Sequence, residues 1–433
     1  MNWREEYKTL LWISGFFLFA YFLPIGDGRF QEAILSAFAL VKWYAQEHVL
    51  LCLVPAFFIA GAIAVFVSQA AVIKYFGAAA KKWLSYTVAS VSGTILAVCS
   101  CTVLPLFSGI HKRGAGLGPA IAFLYSGPAI NILAIILTAR ILGLELGVAR
   151  VAGAVLFSVV IGLAMHYIYR KEEAAKVAGQ LAMPEDPDAR PLWQTVFHFF
   201  VLVTMLIFAT WGKPDTQSGL FYQIYQIKWW LVGIAALLLA FSLHYILKIK
   251  LWLVGLGALP VAASVALFSH NPLIPFTVGV IALSVIISVS PGEPQDWMHQ
   301  SWDFTKQIMP LLGAGVLGAG FLLGTAEGGQ GVIPNHWISG VVGGNSLFAN
   351  FFAAIVGAFM YFATLTEVPI LQGLINSGMG KGPALALLLA GPALSLPNML
   401  VIRSIIGTQK TVVFISLVVL MATLSGLVYG AIF

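Results

Sequence analysis

The triplet Cys99-Ser100-Cys101 places two thiols two residues apart at the end of a long apolar segment. On a regular helix, residues i and i+2 point about 200° apart, so the two thiols could not share a ligand. In an unwound stretch they lie on the same side, and Pro105 downstream favours unwinding. Converging thiolates suit a soft species such as Cu(I), Zn(II) or trivalent arsenic. We therefore predict a soft-ion site at Cys99 and Cys101; the alternative is two small apolar residues packed in a helix.

Glu367 is the acid with the strongest case for chemistry, because it lies between Leu365 and Pro369 in a long apolar segment. An ionisable residue within a membrane span is a functional candidate by default. Apolar surroundings favour the protonated carboxyl group, so the position predicts a proton-coupling role. The alternative is a carboxylate at the membrane–water boundary that caps a broken helix.

The composition indicates what kind of protein positions these groups. The 433 residues are 60% hydrophobic and 9% charged, with a mean hydropathy of +0.93, whereas soluble domains have about 25% charged residues. So few charges cannot cover a water-facing surface, which excludes a soluble enzyme, a nucleic-acid-binding domain and a disordered chain. The net charge of +6 indicates loop lysines and arginines that face the cytoplasmic leaflet. We predict an all-α polytopic membrane protein in contact with the lipid bilayer.

Stretches of roughly 20 apolar residues recur along the chain and predict about 11–13 transmembrane helices. The stretch near 9–23 has no cleavage site after it and is expected to stay as an anchor. Charges and prolines between Arg170 and Arg190 predict a cytoplasmic linker. The predicted parts are an N-terminal anchor helix and amphipathic segment (1–48), a transmembrane repeat (49–169, the first block), the charged linker (170–191), intervening transmembrane helices (192–290) and a second transmembrane repeat (291–433, the second block).

The two blocks share an internal repeat at a constant offset of 264 residues. Residues 102–143 align without a gap with residues 366–407, and every Gly-Pro pair is kept. The cysteines align with Ala363 and Leu365, and Glu367 aligns with Val103, so thiols occur in one repeat and the carboxylate in the other. Repeats with Gly- and Pro-interrupted helices mark secondary transporters, with the substrate site where the repeats meet.

Prolines recur in the repeat and predict helix breaks, because proline lacks an N–H and clashes with the carbonyl four residues back. Carbonyls freed in a bilayer are costly unless they line a cavity or meet protein donors. The alternative is a set of kinks whose carbonyls are satisfied by neighbouring helices. The predicted breaks, which would form a gate from two broken-helix hairpins, are at Pro105, Gly127, Pro128, Pro369, Gly391, Pro392 and Pro397.

Short polar side chains follow the repeated Gly-Pro-Ala. Asn131 and Ser395 occupy matching positions, and Asn398 follows Pro397. We predict that they bind substrate with the cysteines; interhelical hydrogen bonding is the alternative. Cys52 is either a third soft ligand or a packing residue. The chain shows no P-loop, GxGxxG, HExxH, CxxC or CxxCH motif, so we predict no cofactor and no ATPase activity.

The segment 99–131, CSCTVLPLFSGIHKRGAGLGPAIAFLYSGPAIN, resembles the signature of a bacterial and archaeal family of predicted permeases that includes the organoarsenical efflux permeases. TEVPI (366–370), AGPALSLPN (390–398) and the PGE…W…SW…P pattern (291–310) are similar to that family as well. The resemblance implies a multi-pass permease of the cytoplasmic (inner) membrane, and it places the family's cysteine pair on Cys99 and Cys101.

These features together predict a secondary-active permease rather than an enzyme, exporting a soft metal or metalloid such as trivalent arsenic or an organoarsenical. Cys99 and Cys101 would capture this small inorganic or organometalloid substrate, and Glu367 would exchange a proton. One alternative is a permease for a small anion or organic solute with structural cysteines. Another is a membrane dithiol redox protein. No nucleic-acid partner is expected, and the features are compatible with a homo-oligomer.

Overall fold

The computed structural model describes residues 3–67, 80–95, 100–130, 132–173, 175, 191–213, 219–268, 270–324, 329, 331–332, 341–360, 367–376 and 378–433. The regular secondary structure of these residues is helical throughout, which confirms the all-α class. In the first half the helices are α1 (Trp3–Tyr21), α2 (Gly28–Tyr44), a π-helix (Ala45–Leu53), α3 (Val54–Phe66), α4 (Lys82–Ile95), α5 (Ser100–Lys112), α6 (Leu117–Ala129), α7 (Ile132–Ile141) and α8 (Leu144–Ile168).

The remaining helices run from the intervening region to the end of the second block. They are α9 (Leu192–Ala209), α10 (Leu220–Tyr245), α11 (Leu251–Leu267), α12 (Leu273–Val289), α13 (Glu293–Leu323), α14 (Leu347–Phe359), α15 (Glu367–Asn376), α16 (Lys381–Leu394), α17 (Leu396–Ile406) and α18 (Thr408–Ile432).

Four described helical segments are long and apolar enough to cross a membrane by themselves: Gly28–Phe66, Leu144–Ile168, Phe221–Tyr245 and Thr408–Ile432. The bent pair α16 and α17 would make a fifth span. Shorter apolar helices cover Trp193–Ala209, Leu251–Leu267, Leu273–Val289 and Leu347–Phe359. The chain is therefore a polytopic membrane protein, while the total of about 11–13 spans stays a prediction.

The helix bounds in the two blocks follow the offset of the sequence repeat. Helices α8 and α18 both have 25 residues, and each starts 264 residues from the other. The starts of α6 and α7 correspond in the same way to those of α16 and α17. Helix α15 packs on α7, and α17 packs on α5, so each block contributes a helix to the broken segment of the other. The domain limits and the structural equivalence of the blocks stay predictions.

Two close helix crossings occupy matching positions in the blocks. A Cβ atom built on Gly118 of α6 would lie 2.8 Å from the carbonyl oxygen of Gly162 in α8. A Cβ on Gly382 of α16 would lie 2.6 Å from the carbonyl oxygen of Gly426 in α18. Glycine is required at both crossings because the backbones approach too closely for any side chain.

The prolines do not lie at the breaks themselves. Pro128 and Pro392 are inside α6 and α16, which end at Ala129 and at Leu394 with Ile130 and Ser395 as their C-caps. Helix α5 continues through Pro105, so no break occurs at that residue. Pro397 lies in the first turn of α17, where a missing N–H costs little because first-turn N–H groups have no intrahelical partner. Pro369 is the third described residue of α15.

The second broken segment is a bent helix pair, and its place in a gate stays a prediction. Helices α16 and α17 are bent by 47° at Ser395. The long helix α13 packs against α17, and a Cβ on Gly315 would collide with the backbone of Pro397. The absence of a side chain at Gly315 therefore lets α13 contact the kink directly and hold it in place.

The start of the charged linker is docked on the protein, which corrects its prediction as wholly aqueous. Residues 176–190 lie outside the described part of the chain. Glu173, however, is only 3% exposed, and its Oε2 accepts a hydrogen bond of 2.8 Å from the backbone N–H of Leu117. Glu172 pairs with Lys410 near the start of α18. The glycine before α6 has no capping side chain, so Glu173 supplies the cap from a distant part of the sequence.

We expect Glu173→Ala to lower the stability of the permease by about 1–3 kcal/mol, because it leaves a buried N–H at the start of α6 without an acceptor. The measurement is the thermal unfolding midpoint of the purified full-length protein in detergent. Glu172→Ala is the matched control, since it removes a half-exposed ion pair worth less than about 1 kcal/mol. Equal midpoints for the two variants would contradict the capping role of Glu173.

Candidate functional site

A buried ion pair joins the two blocks. Arg150 of α8 is fully buried, and its Nη1 contacts Oε1 of Glu367, a residue that is 2% exposed. Glu367 is the first described residue of α15. The carboxylate is thus enclosed by protein and paired with a cation from the other block, rather than facing water.

The Arg150 side chain also binds both sides of the break between α6 and α7. Its Nε donates a hydrogen bond of 3.0 Å to the carbonyl oxygen of Ala129, the last residue of α6. Its Nη1 donates a bond of 3.0 Å to Oγ1 of Thr138 in α7. Carbonyls at a helix end lack intrahelical partners, so the guanidinium satisfies one of them. Arg150 therefore fixes α6, α7, α8 and α15 at one point.

Arg150 was not predicted from the sequence, although two signals pointed to it. It is a cation within the apolar span Leu144–Ile168, where an ionisable residue calls for a partner. In the repeat register Arg150 aligns with Phe414, just as Glu367 aligns with Val103. Each block therefore carries one charge where the other carries an apolar residue, and the two charges are opposite.

Two of the predicted substrate-binding residues lie at the kink between α16 and α17. Ser395 and Asn398 are buried, and Asn398 Nδ2 donates a long hydrogen bond of 3.4 Å to the carbonyl oxygen of Pro392. Ser395 Oγ and Asn398 Oδ1 have no hydrogen-bond partner among the described residues. Buried polar atoms without partners are where a polar ligand or an ordered water can bind.

The other predicted ligands are only partly placed. Cys101 is the second described residue of α5, whereas Cys99 and Asn131 lie outside the described residues. The convergence of the two thiols therefore stays a prediction. Cys52 is buried and is the penultimate residue of the π-helix. Within the described part of the chain, no group of three or more His, Cys, Asp or Glu side chains is arranged to hold a metal ion.

Comparison with known sequences identifies the family. The profile of a family described as predicted permease, ArsP_1, matches residues 34–431. The chain belongs to this family. The permease is 39% identical over 390 residues to the UPF0718 protein MJ0584 of Methanocaldococcus jannaschii, which covers 90% of this chain and 93% of the relative. It is 42% identical over 59 residues to the UPF0718 protein YraQ of Escherichia coli K12, a match that covers 14% of this chain and 17% of the relative. No solved structure matches it.

Family membership confirms the resemblance expected from the segments 99–131 and 366–398. The protein is a multi-pass membrane permease with relatives in an archaeon and a bacterium. Neither relative's name states a substrate. The buried pair Arg150–Glu367 is therefore the main structural evidence on how the permease works.

Proposed function

We propose that the permease is a secondary-active exporter of a soft metal or metalloid, such as trivalent arsenic or an organoarsenical, in the cytoplasmic membrane of a bacterium or archaeon. The observation that carries the proposal is the buried ion pair between Arg150 and Glu367 at the break of α6 and α7. Ionisable residues inside a membrane domain are costly and mark substrate or proton pathways. Glu367 couples transport to protons: as the permease changes conformation, its carboxylate gives up the ion pair with Arg150 and binds a proton instead.

The thiols capture the substrate at the start of α5. Cys101 lies in the first described turn of α5, and Glu367 lies in that of α15. Helix α5 packs on α17 and α15 packs on α7, so the thiol-bearing and carboxylate-bearing helices each contact the broken segment of the other block. This arrangement supports a common pathway in which Cys99 and Cys101 bind a thiophilic ion and Glu367 supplies the coupling charge.

A resistance assay in a metalloid-sensitive bacterium tests this function. Cells expressing the wild-type permease should grow at severalfold higher concentrations of arsenite, antimonite or phenylarsine oxide than cells without it. We expect Cys99→Ser, Cys101→Ser and Glu367→Gln each to remove most of that resistance, because each removes a ligand or the coupling charge. Cys52→Ser is the control and should keep it.

Membrane levels of every variant must be measured by immunoblot, so that loss of protein is separated from loss of transport. Unchanged resistance in Cys99→Ser, Cys101→Ser and Glu367→Gln, at normal membrane levels, would contradict the assignment of the site. Absence of resistance with the wild-type protein to all three compounds would contradict the metalloid substrate itself.

A further inference from the structure

Two buried hydrogen-bond donors close to the ion pair have no acceptor. Arg150 Nη2 and the Tyr125 hydroxyl lack partners among the described residues, and both side chains are fully buried. Tyr125 lies one helical turn before Ala129 on the same face of α6, and the carbonyl oxygen of Ala129 accepts the hydrogen bond from Arg150 Nε. Native proteins leave few buried donors unsatisfied, so a pair of them in one neighbourhood points to a ligand that both can bind.

The chemistry of the two donors indicates an oxyanion. A guanidinium is planar and always charged, and its N–H groups match the oxygens of carboxylate, phosphate and similar anions. A tyrosine hydroxyl can donate a further bond to the same anion. Arg150 also binds the carbonyl of Ala129 immediately before α7, which is described from Ile132. The start of α7 therefore adds the positive end of a helix dipole, which favours bound anions.

Charge balance ties such an anion to a proton. The pair Arg150–Glu367 is neutral, so an added monovalent anion would leave one uncompensated negative charge inside the membrane domain, which is strongly unfavourable. Protonation of Glu367 removes that charge and frees Nη1 for the anion. The proton comes from the aqueous phase and adds to the Glu367 carboxylate, and no covalent bond is otherwise made or broken.

Other charged groups on the helices around Glu367 do not replace it in this role. Helix α7 carries Arg140, α8 carries Glu145 and α16 carries Lys381, all three exposed at helix ends. On α6, which Arg150 contacts through Ala129, Tyr125 is the buried ionisable group in the described residues. The carboxyl group available to take up the compensating proton is therefore Glu367.

We propose that Arg150 and Tyr125 form a binding site for a small oxyanion, and that each anion is bound together with one proton on Glu367. The site does not involve the cysteines, so it goes beyond the metalloid function and shares Arg150 and Glu367 with it. The oxyanion is either a free inorganic anion or an oxyanion group on an organic cargo, and the two sources differ in size and apolar surface.

Anion binding to the purified full-length permease in detergent tests the site. The thermal unfolding midpoint is measured against nitrate, selenite and phenylarsonate between pH 5.5 and 7.5, where each is mainly a monovalent anion, with chloride at matched ionic strength as reference. We expect stabilisation whose apparent affinity rises about tenfold for each unit of pH decrease, because one proton is bound per anion. Tighter binding of phenylarsonate than of nitrate identifies a cargo group as the ligand, and the reverse order identifies a free anion.

Variants separate the roles of the three side chains. Tyr125→Phe should weaken anion binding about tenfold or more, since one donor to the anion is lost. Tyr86→Phe, at another buried tyrosine, is the matched control and should leave binding unchanged. Glu367→Gln should bind the anion with no dependence on pH, because its side chain is already neutral.

Two results would overturn the proposal. One is a wild-type protein that none of the three oxyanions stabilises at any pH; the other is an unchanged pH slope in Glu367→Gln. If Glu367→Gln fails to fold, Tyr125→Phe still decides, because equal anion affinity in Tyr125→Phe and wild type contradicts the site. The assay is repeated after thiol alkylation with N-ethylmaleimide, so that failure of the metalloid function leaves this result unaffected.

Discussion

Arg150→Phe alone and Glu367→Val alone are each expected to destabilise the permease by roughly 3–5 kcal/mol, because each leaves one buried charge without its partner. The double variant is expected to recover most of that loss, since an apolar pair replaces the ion pair. Phenylalanine is chosen because Phe414 stands at the position in the second block that corresponds to Arg150. Valine is chosen because Val103 stands at the position in the first block that corresponds to Glu367. Phe414 and Val103 are 0% and 1% exposed. The fold therefore already accommodates these side chains at matching places.

Transport by the double variant shows whether the ion pair only stabilises the fold or also couples transport to protons. We expect the Arg150→Phe/Glu367→Val protein to be folded, with an unfolding midpoint near that of the wild type, and to confer no resistance to arsenite. Thermal unfolding of all four proteins forms a double-mutant cycle that isolates the pair's interaction. Additive single effects would show that Arg150 and Glu367 do not interact, and a transport-competent double variant would show that the charges serve only the fold.

Gly118→Ala and Gly382→Ala are expected to prevent stable assembly of their blocks. The added methyl carbon would lie 2.8 Å from the carbonyl oxygen of Gly162 in the first case, and 2.6 Å from that of Gly426 in the second. Because these neighbours are backbone atoms, the helices must separate, and overpacking of this kind costs about 1–3 kcal/mol or more. The separation also opens contacts along α6–α8 and α16–α18, so we expect both variants to lose monodisperse protein on gel filtration.

Gly233→Ala in α10 is the matched control for these glycines. Nothing lies within 4 Å of a Cβ built at Gly233, so the methyl group is accommodated. The substitution should leave the yield unchanged or raise stability by up to about 1 kcal/mol through helix propensity. Wild-type gel-filtration profiles and unfolding midpoints for Gly118→Ala and Gly382→Ala would show that the crossings are looser than the structure indicates.

The sequence was sufficient for the features that depend on composition and register. Low charge and long apolar runs predict the all-α membrane class, and the motif around Cys99 and Cys101 indicates the permease family. Glu367 could be singled out because an acid in apolar sequence is rare. Each of these inferences uses a local pattern that the fold does not alter.

The remaining features depend on contacts between distant residues. The sequence alone does not identify Arg150, because a single arginine near the end of a span is ordinarily a boundary residue, and only packing places it against Glu367. Glu173 was assigned to an aqueous linker because its neighbours are charged, but its carboxylate reaches the start of α6. Helices α6 and α16 each contain their proline and end one or two residues after it, so the breaks lie after Pro128 and Pro392.

The placement of opposite charges in the two blocks also has an evolutionary consequence. A dimer of two first blocks would bury two guanidinium groups and no carboxylate, while a dimer of two second blocks would bury two carboxylates. Neither combination has a neutral centre, and a buried net charge is strongly unfavourable. We expect the sequence repeat to reflect a duplication. Once Arg150 and Glu367 were in place, such a duplication could no longer be reversed to a gene for one half, and a single chain maintains the one-to-one ratio of the blocks.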